Sequence, residues 1–336
     1  MVITPQVATG ALSPATIASQ AADRARRSRA DSTRRAYDAD WRDYIAACSR
    51  LGLPEAPTLA GVSIYLDQLA RTGAKVSTIR RRLAAINYRL RMSGEPPFSA
   101  RDEPLASVLL GIRREVGAPA RQARPIEVAE LRSLAVTCSS SAKGLRDRAL
   151  MLLGFASALR RSELVGLDWS VGGDGSGWVE PVPEGLRIHL RRSKTNQMGE
   201  REEVAICRGS IAATCPVAAL EAWRAISDGE GPVFRSIDRH GRRGGRLTGG
   251  SVARTLKTCV RTAATVAGAD AKEAAAATAR VSGHSLRSGL VTSAFAAGLT
   301  AEDVMRQTRH RDVRVLLGYR RHATAFVANV SGRVGL

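Results

Sequence analysis

ALRRSEL, at residues 158–164, ends a helical pattern of apolar residues that covers 145–158. Arg160 comes directly after that pattern, and the acidic Glu163 follows three residues later. Another helical pattern, over 126–136, precedes both. We therefore predict helices on the amino-terminal side of this stretch and treat Arg160 as a candidate functional residue at a helix end. In isolation an arginine is weak evidence, because most arginines of a basic chain are solvated surface charges.

A short pair of strands is predicted downstream. Apolar residues at 186, 188 and 190 alternate with polar ones, which is the pattern of a half-exposed strand. Val204 and Ile206 fit an antiparallel partner strand, so we expect Lys194 at or near the hairpin turn. From Pro216 onward the pattern is helical again, and the alanine-rich stretch 271–279 has high helix propensity. The expected fold class is mainly α with a small antiparallel β-sheet.

Four short helices are predicted in the first third of the chain. Apolar residues recur at helical spacing over 37–48, 59–69, 79–90 and 105–112, so each segment can place one face on a common core. The rest of the third helix is crowded with arginines, which include Arg80, Arg81, Arg82 and Arg89. We interpret these helices as a compact DNA-gripping module. A solvated cationic face is the alternative.

The length of 336 residues favours two domains, each large enough to bury its own core. Residues 1–20 lack periodicity and are predicted to be a mobile tail, followed by a helical DNA-binding domain over 21–117. The segment 118–125 contains two prolines and no apolar periodicity, which is typical of a linker. The catalytic domain is predicted over 126–336, and its last residues form a candidate docking tail.

The net charge of +20 and the isoelectric point near 11.1 predict a surface that attracts polyanions. Nucleic acid is the favoured partner, and an anionic membrane surface is the main competitor. Because neither a membrane-spanning stretch nor a signal peptide is apparent, we expect a cytoplasmic, DNA-associated protein without membrane partners. The five cysteines are scattered without a Cys-x-x-Cys pair, so we expect reduced thiols and neither a disulfide nor a zinc site.

Arg160 gains significance from two later motifs. GHSLR at 283–287 contains His284 and Arg287, three residues apart, and His310 precedes Tyr319 by nine residues. Over roughly 145–322 the chain resembles the tyrosine recombinases, the phage-integrase family of site-specific DNA recombinases.

The residue types in these motifs suit the cleavage of a phosphodiester. Such a reaction needs an activated oxygen, cations at the non-bridging oxygens and an acid for the leaving oxygen. Tyr319 is the candidate nucleophile, although full deprotonation of a free phenol at cell pH costs about 4 kcal/mol. Arg160 and Arg287 carry permanently charged planar guanidinium groups that match phosphate oxygens.

The resemblance implies further roles. It implies that His284 helps to move the proton of the tyrosine, that His310 hydrogen-bonds the phosphate and that Glu163 orients the neighbouring cations. Lys194 corresponds to a hairpin lysine that donates a proton to the departing 5′ oxygen, although a solvated cationic turn is the alternative for this residue. Two positions depart from the family pattern: Arg309 replaces a usual glycine, and Ser288-Gly289 follow Arg287 where a histidine and a small hydroxyl residue are common.

The resemblance also implies a reaction and an assembly. The two domains would encircle duplex DNA as a C-shaped clamp, cut it to leave a 3′-phosphotyrosine, and exchange strands as a homo-tetramer on two DNA sites. The sequence contains no phosphate-binding loop and no carboxylate cluster typical of two-metal cleavage, so we expect no cofactor, no metal and no ATP. The arginines expected to contact DNA, chiefly at phosphates, are Arg34, Arg35, Arg80, Arg81, Arg82, Arg89, Arg121 and Arg124.

Two other functions remain open at this point. A type IB-like topoisomerase would use similar chemistry to relax and reseal one duplex. A non-catalytic DNA-binding accessory factor would bind without cutting. Retention of all the reactive side chains argues against the accessory factor. The target sequence, any accessory proteins and the choice among integration, excision and resolution are not encoded in these motifs.

Overall fold

The computed structural model describes residues 29–117, 123–191 and 202–323, of which 320–323 are described by their backbone alone. The chain divides into two compact units, the first ending at residue 120 and the second starting at residue 121. Each unit has its own apolar core.

The first unit contains the four helices that the apolar spacing predicts. Their bounds are Asp31–Leu51 (α1), Leu59–Arg71 (α2), Val76–Met92 (α3) and Leu105–Glu115 (α4). Thr58 caps α2 by accepting a hydrogen bond from the backbone of Gly61. The shared core is built from one buried stripe of each helix and includes Tyr44, Leu66, Ile86 and Ile112.

The second unit begins with three helices, which the sheet follows. The helices are Val128–Val136 (α5), Ala142–Ser157 (α6) and Arg161–Val165 (α7). Eleven of the 16 residues of α6 are buried, so it is the central helix of this unit. The strands that follow are Leu167–Asp168 (β1), Gly177–Val182 (β2), Gly185–Leu190 (β3) and Glu202–Cys207 (β4).

The predicted hairpin strands are confirmed as β3 and β4. They pair antiparallel, with Ile188 opposite Val204 and Leu190 opposite Glu202. The sheet order is β1-β2-β3-β4, and β1 pairs with β2 in parallel. A second, two-stranded sheet, Arg235–Ile237 (β5) with Arg243–Arg246 (β6), was not predicted. Its strands are short and rich in arginine and glycine, so they lack the alternating apolar pattern that identifies a strand.

The remaining elements are helical. They are Pro216–Arg224 (α8), Gly249–Val266 (α9), Ala271–Thr278 (α10), Ser285–Ala296 (α11), Ala301–Thr308 (α12) and Val313–Ala323 (α13). The alanine-rich helix is therefore confirmed as α10, and it begins with a reciprocal cap between Asp270 and Glu273. The last three helices enclose a small satellite cluster of buried residues, formed by Val291, Phe295, Val304 and Leu316.

Arg124 and Pro125, which we predicted to be part of the linker, belong instead to the second unit. The guanidinium of Arg124 donates to both carboxylate oxygens of Glu130, at 2.6 and 2.7 Å, and to the carbonyl of Ala277. Its backbone amide bonds the carbonyl of Arg280. Ordered contacts therefore begin within the segment that composition alone identified as a linker.

Candidate active site

Arg160 lies at a sharp corner between two helices. α6 ends at Ser157 and is followed by Ala158, whose φ of 47° lies in the left-handed region. α7 begins one residue after Arg160. The carbonyl of Ala158 points back into the site and accepts a hydrogen bond of 2.6 Å from Nη1 of Arg287. The corner thus positions one arginine through its own backbone and anchors a second through a carbonyl.

Glu163 is the buried anion of this site, with 2% of its surface exposed. Its carboxylate accepts from the backbone amide of Arg160 at 2.9 Å, from Nη1 of Arg160 at 2.7 Å and from Nη2 of Arg309 at 2.6 Å. Burial alone raises the pKa of Glu163, but the charge of Arg309 and the bonds from Arg160 outweigh it, so the pKa is lowered. An ionised Glu163 therefore holds the guanidinium of Arg160 in place.

Arg287 enters the site from the first turn of α11 and is almost fully buried. Burial and the nearby charge of Arg160 lower the pKa of Arg287 to about 10, which still leaves a cation at neutral pH. Two residues later, a side chain on Gly289 would meet the carbonyl oxygen of Ile126 at 1.9 Å. Glycine at this departure from the family pattern therefore permits the close packing that places Arg287.

His284 and Tyr319 are in direct contact. The Nε2 atom of His284 lies 2.7 Å from the phenolic oxygen of Tyr319, which projects from α13. Partial burial, Arg287 and Arg160 lower the pKa of His284, and burial raises the pKa of Tyr319 despite the opposing charge of Arg287. At neutral pH the pair therefore consists of a neutral imidazole and a neutral phenol, in which the phenol can donate to Nε2.

Thr308 determines how His310 carries its proton. The hydroxyl oxygen of Thr308 lies 2.6 Å from the carbonyl of Val304 and 2.6 Å from Nδ1 of His310. Since a carbonyl can only accept, the single hydroxyl proton goes to Val304, and Nδ1 of His310 must carry a proton and donate to Thr308. Burial and the charges of Arg287 and Arg160 lower the pKa of His310 to about 4, so its Nε2 is unprotonated in the free protein.

The structure brings together every described residue that the motifs singled out. The rings of His284 and His310 flank the ring of Tyr319, with centroids 6.3 and 6.5 Å away. The charges of Arg160 and Arg287 act on both histidines. This arrangement can hold a phosphate-sized anion and present a phenol to it. Lys194 lies outside the described residues, in the segment that joins β3 to β4.

Two residues of the site were missed by the sequence analysis. Nothing in the sequence pattern marked Thr308, because its hydrogen bond to His310 depends on how the chain turns at the end of α12. Arg309 was noted only as a departure from a usual glycine; it adopts the left-handed conformation that glycine favours, with φ of 57°. That glycine preference was the available signal for a helix end with positive φ.

The arginines predicted to contact DNA differ in their surroundings. Arg35 and Arg80 are exposed, whereas Arg34 pairs with Asp31 and Arg124 with Glu130. Arg121 lies outside the described residues.

Three arginines of α3 pair with carboxylates of α1. Arg81 bonds the buried Asp40 at 2.6 Å, Arg82 lies 3.1 Å from the same residue, and Arg89 bonds Asp38 at 2.6 Å. Part of the predicted cationic face therefore joins two helices of the first unit.

Within the ranges 29–117, 123–191 and 202–323, no group of three His, Cys, Asp or Glu side chains is arranged to hold a metal ion. Among those same residues, no helix combines the length and the apolar character needed to cross a membrane.

Residues 124–325 match the Phage integrase family. An integrase/recombinase xerD homolog of Selenomonas ruminantium is 34% identical over 320 residues, which cover 93% of this chain and 87% of that protein. A Tn1549 transposon integrase in complex with transposon right-end DNA has a similar fold, with a TM-score of 0.58 at 15% identity, covering 93% of this chain and 96% of that one.

A lambda integrase tetramer bound to a Holliday junction gives a TM-score of 0.57 at 16% identity, covering 93% of this chain and 78% of that one. These two structures share the fold at low identity, while the family match and the Selenomonas relative extend the similarity to the sequence itself. The chain belongs to the phage integrase family, the tyrosine recombinases.

Proposed function

We propose that this protein is a site-specific recombinase that cuts and rejoins DNA through a 3′-phosphotyrosine intermediate formed on Tyr319. The observation that carries the proposal is the 2.7 Å contact between the phenolic oxygen of Tyr319 and Nε2 of His284, beside two converging arginines. Tyr319 is also the only tyrosine of the sequence after residue 88, so the second unit contains a single phenol.

In the proposed cleavage step, the oxygen of Tyr319 forms a bond to phosphorus while the bond from phosphorus to the 5′ oxygen breaks. The phenolic proton passes to Nε2 of His284. At the ordinary pKa values of 10.0 and 6.5, a complete proton transfer before bond formation would cost about 5 kcal/mol. Because both pKa shifts in this site add to that cost, we infer that the proton moves together with O–P bond formation.

Arg160 and Arg287 bind the non-bridging oxygens and stabilise the charge that grows as phosphorus becomes five-coordinate. Their anchors, Glu163 and the Ala158 carbonyl, hold both guanidinium groups in place before DNA binds. Preorganised donors of this kind each contribute roughly 3 to 4 kcal/mol to barrier lowering. Lys194 supplies the proton that the departing 5′ oxygen requires.

Rejoining is the reverse of this step. A 5′ hydroxyl attacks phosphorus and gives its proton to Lys194 while the bond from phosphorus to the oxygen of Tyr319 breaks, and His284 returns a proton to the phenolate. The phosphotyrosine diester conserves the energy of the bond that it replaced, so neither ATP nor a metal is needed in this scheme. When the attacking hydroxyl comes from a second DNA, strands are exchanged.

We further propose that the two units encircle duplex DNA and that four copies act on two sites. The lambda integrase tetramer on a Holliday junction supports this assembly by analogy of fold. The products would be those of integration, excision or resolution, formed on DNA in the cytoplasm. If a monomer relaxes supercoiled DNA and forms no product that joins two DNA sites, the protein is instead a type IB-like topoisomerase.

The test is a duplex with a nick placed so that the cut 5′ fragment diffuses away and the covalent complex accumulates. Wild-type protein should give a band of protein bound to the 3′ end of DNA on a denaturing gel. Tyr319→Phe should bind the same DNA and give no covalent band, whereas Tyr88→Phe, from the first unit, should behave as wild type. Covalent product with Tyr319→Phe would identify another nucleophile, and binding without any adduct in wild type would favour an accessory factor.

A further inference from the structure

Arg309 occupies an unusual backbone position. It ends α12 with φ of 57° and ψ of 38°, a conformation that residues with side chains rarely adopt and glycine adopts freely. Its side chain is only 9% exposed. A long charged side chain is thus retained and buried where the backbone favours a residue without one, which indicates that the side chain has a role of its own.

The guanidinium of Arg309 joins two carboxylates from distant parts of the chain. Nη2 bonds Glu163 at 2.6 Å, and Nη1 bonds Glu202, the first residue of β4, at 2.8 Å. Glu163 in turn holds Arg160. The chain of contacts therefore runs from the sheet, through Arg309 and Glu163, to the guanidinium that faces the site.

A neighbouring contact fixes the same helix end to the same strand. The amide of Gln307 donates to the carbonyl of Ala205 in β4 at 3.2 Å and to the carbonyl of Ala156 in α6 at 2.9 Å. The end of α12 is therefore attached to both the sheet and the central helix. This gives Arg309 a rigid base from which to orient Glu163.

Arg309 also affects how the negative charges of Glu163 and Glu202 are shared among the neighbouring cations. Glu163 accepts from both Arg160 and Arg309, so its single negative charge is shared between two cations. Glu202 supplies the second negative charge, and Arg311 lies 3.9 Å from its other oxygen. With Arg309 removed, Glu163 would keep only its bonds to Arg160 and lose its link to the sheet, and Glu202 would lose its close partner.

Resting on the function proposed above, we propose that Arg309 is a positioning residue that orients the Arg160 guanidinium toward the scissile phosphate through Glu163, with Glu202 as its anchor. Arg309 itself touches neither DNA nor the reacting atoms in this scheme. A glycine at this position would satisfy the backbone and would leave Glu163 to hold Arg160 without support.

The test compares Arg309→Gln and Arg309→Gly with Arg306→Gln, a matched control on the same helix whose side chain is 74% exposed. The readout is the rate of covalent adduct formation on the nicked duplex at saturating protein. Because the substitutions disturb the orientation of one phosphate-binding group, the guanidinium of Arg160, we expect both Arg309 variants to form the adduct roughly ten- to a hundredfold more slowly. Their affinity for DNA should change less than threefold. Arg306→Gln should react at the wild-type rate.

A second substrate distinguishes the positioning of Arg160 by Arg309 from an effect of Arg309 on Lys194, the proposed acid for the leaving group. When sulfur replaces the 5′ bridging oxygen, a thiolate leaves without an acid, so Lys194→Ala should recover most of its rate. The Arg309 variants should stay slow on that substrate, because the arginine clamp is still needed. Rates within twofold of wild type, or recovery on the sulfur substrate, would overturn the assignment.

The glycine variant retains the favoured backbone conformation but loses the buried ion pairs of Arg309, so it should unfold at a lower temperature than the wild type. Folding defects are separated by measuring all rates at a temperature at which circular dichroism shows every variant to be folded. A slow, folded Arg309→Gly supports the positioning role, and a fast one refutes it. Failure of the wild type to form any adduct would refute the proposed function instead, so the two failures are distinct.

Discussion

Replacing Glu163 by glutamine should destabilise the second unit more than its small change in shape suggests. Three donors point at the carboxylate: two from Arg160 and one from Arg309. An amide has one oxygen and one NH2 group, so at least one of these donors would face another donor. The substitution also removes the negative charge that Glu163 places between the guanidinium groups of Arg160 and Arg309.

The magnitude follows from burial. Removing one partner of a buried ion pair costs about 3 to 5 kcal/mol, and the partial exposure of Arg160 places this case near the lower limit. We therefore expect Glu163→Gln to lose about 3 kcal/mol of unfolding free energy, roughly a hundredfold in the unfolding equilibrium. The protein would remain folded if its total stability lies in the usual range of about 5 to 15 kcal/mol.

The assay is urea unfolding at pH 7, followed through the fluorescence of the buried Trp169 and Trp223 of the second unit. Glu221→Gln is the matched control, because Glu221 pairs with Arg208 at 2.6 and 3.1 Å but both side chains are about half exposed. Since water screens such a pair, the control should unfold close to the wild type. Equal effects of the two substitutions would refute the argument from burial.

The pH dependence provides an internal check. The pKa of Glu163 is lowered in the folded protein, so its contribution is fully present above about 4.5, the ordinary value for the unfolded chain. The contribution is lost as the pH falls through the lower folded value. The stability difference between wild type and Glu163→Gln should thus be constant near neutrality and shrink in acid. A difference that grows in acid would contradict an ionised Glu163.

Two further predictions concern DNA cleavage and binding. Thr308→Val removes the acceptor that holds the proton of His310 on Nδ1, so neutral His310 gains access to the tautomer that can donate from Nε2. The ratio of the mutant to the wild-type cleavage rate should therefore rise between pH 6 and pH 8, and a constant ratio would show that the tautomer of His310 does not affect cleavage. Arg80→Gln should reduce the slope of log affinity against log salt by about 0.9, as expected for one lost phosphate contact, whereas Arg124→Gln should leave it unchanged, because that guanidinium already bonds Glu130. Equal slopes for both variants in a salt titration would remove Arg80 from the DNA interface.

The sequence predicted those parts of the molecule that depend on local pattern. Helices α1 to α4 and α6 follow from apolar spacing, and strands β3 and β4 follow from alternation. The residues of the site could be proposed because they stand in short motifs, although their roles in catalysis stay predictions.

Contacts between distant residues could not be predicted in this way. The pairing of Arg81 with Asp40 spans 41 positions, and that of Arg309 with Glu163 spans 146. No local pattern encodes such pairs, because they arise only when helices pack. For the same reason the sequence suggested a free cationic face on α3 and a linker at Arg124, where the structure has ion pairs.

The satellite cluster beneath Tyr319 has a consequence for control of the reaction. Tyr319, the proposed nucleophile, packs against four buried side chains, Val291, Phe295, Val304 and Leu316, whereas Arg160 follows a helix embedded in the main core. A shift of α13 would move Tyr319 without requiring a movement of Arg160. Under the function proposed here, holding DNA and cutting it would therefore depend on different parts of the second unit.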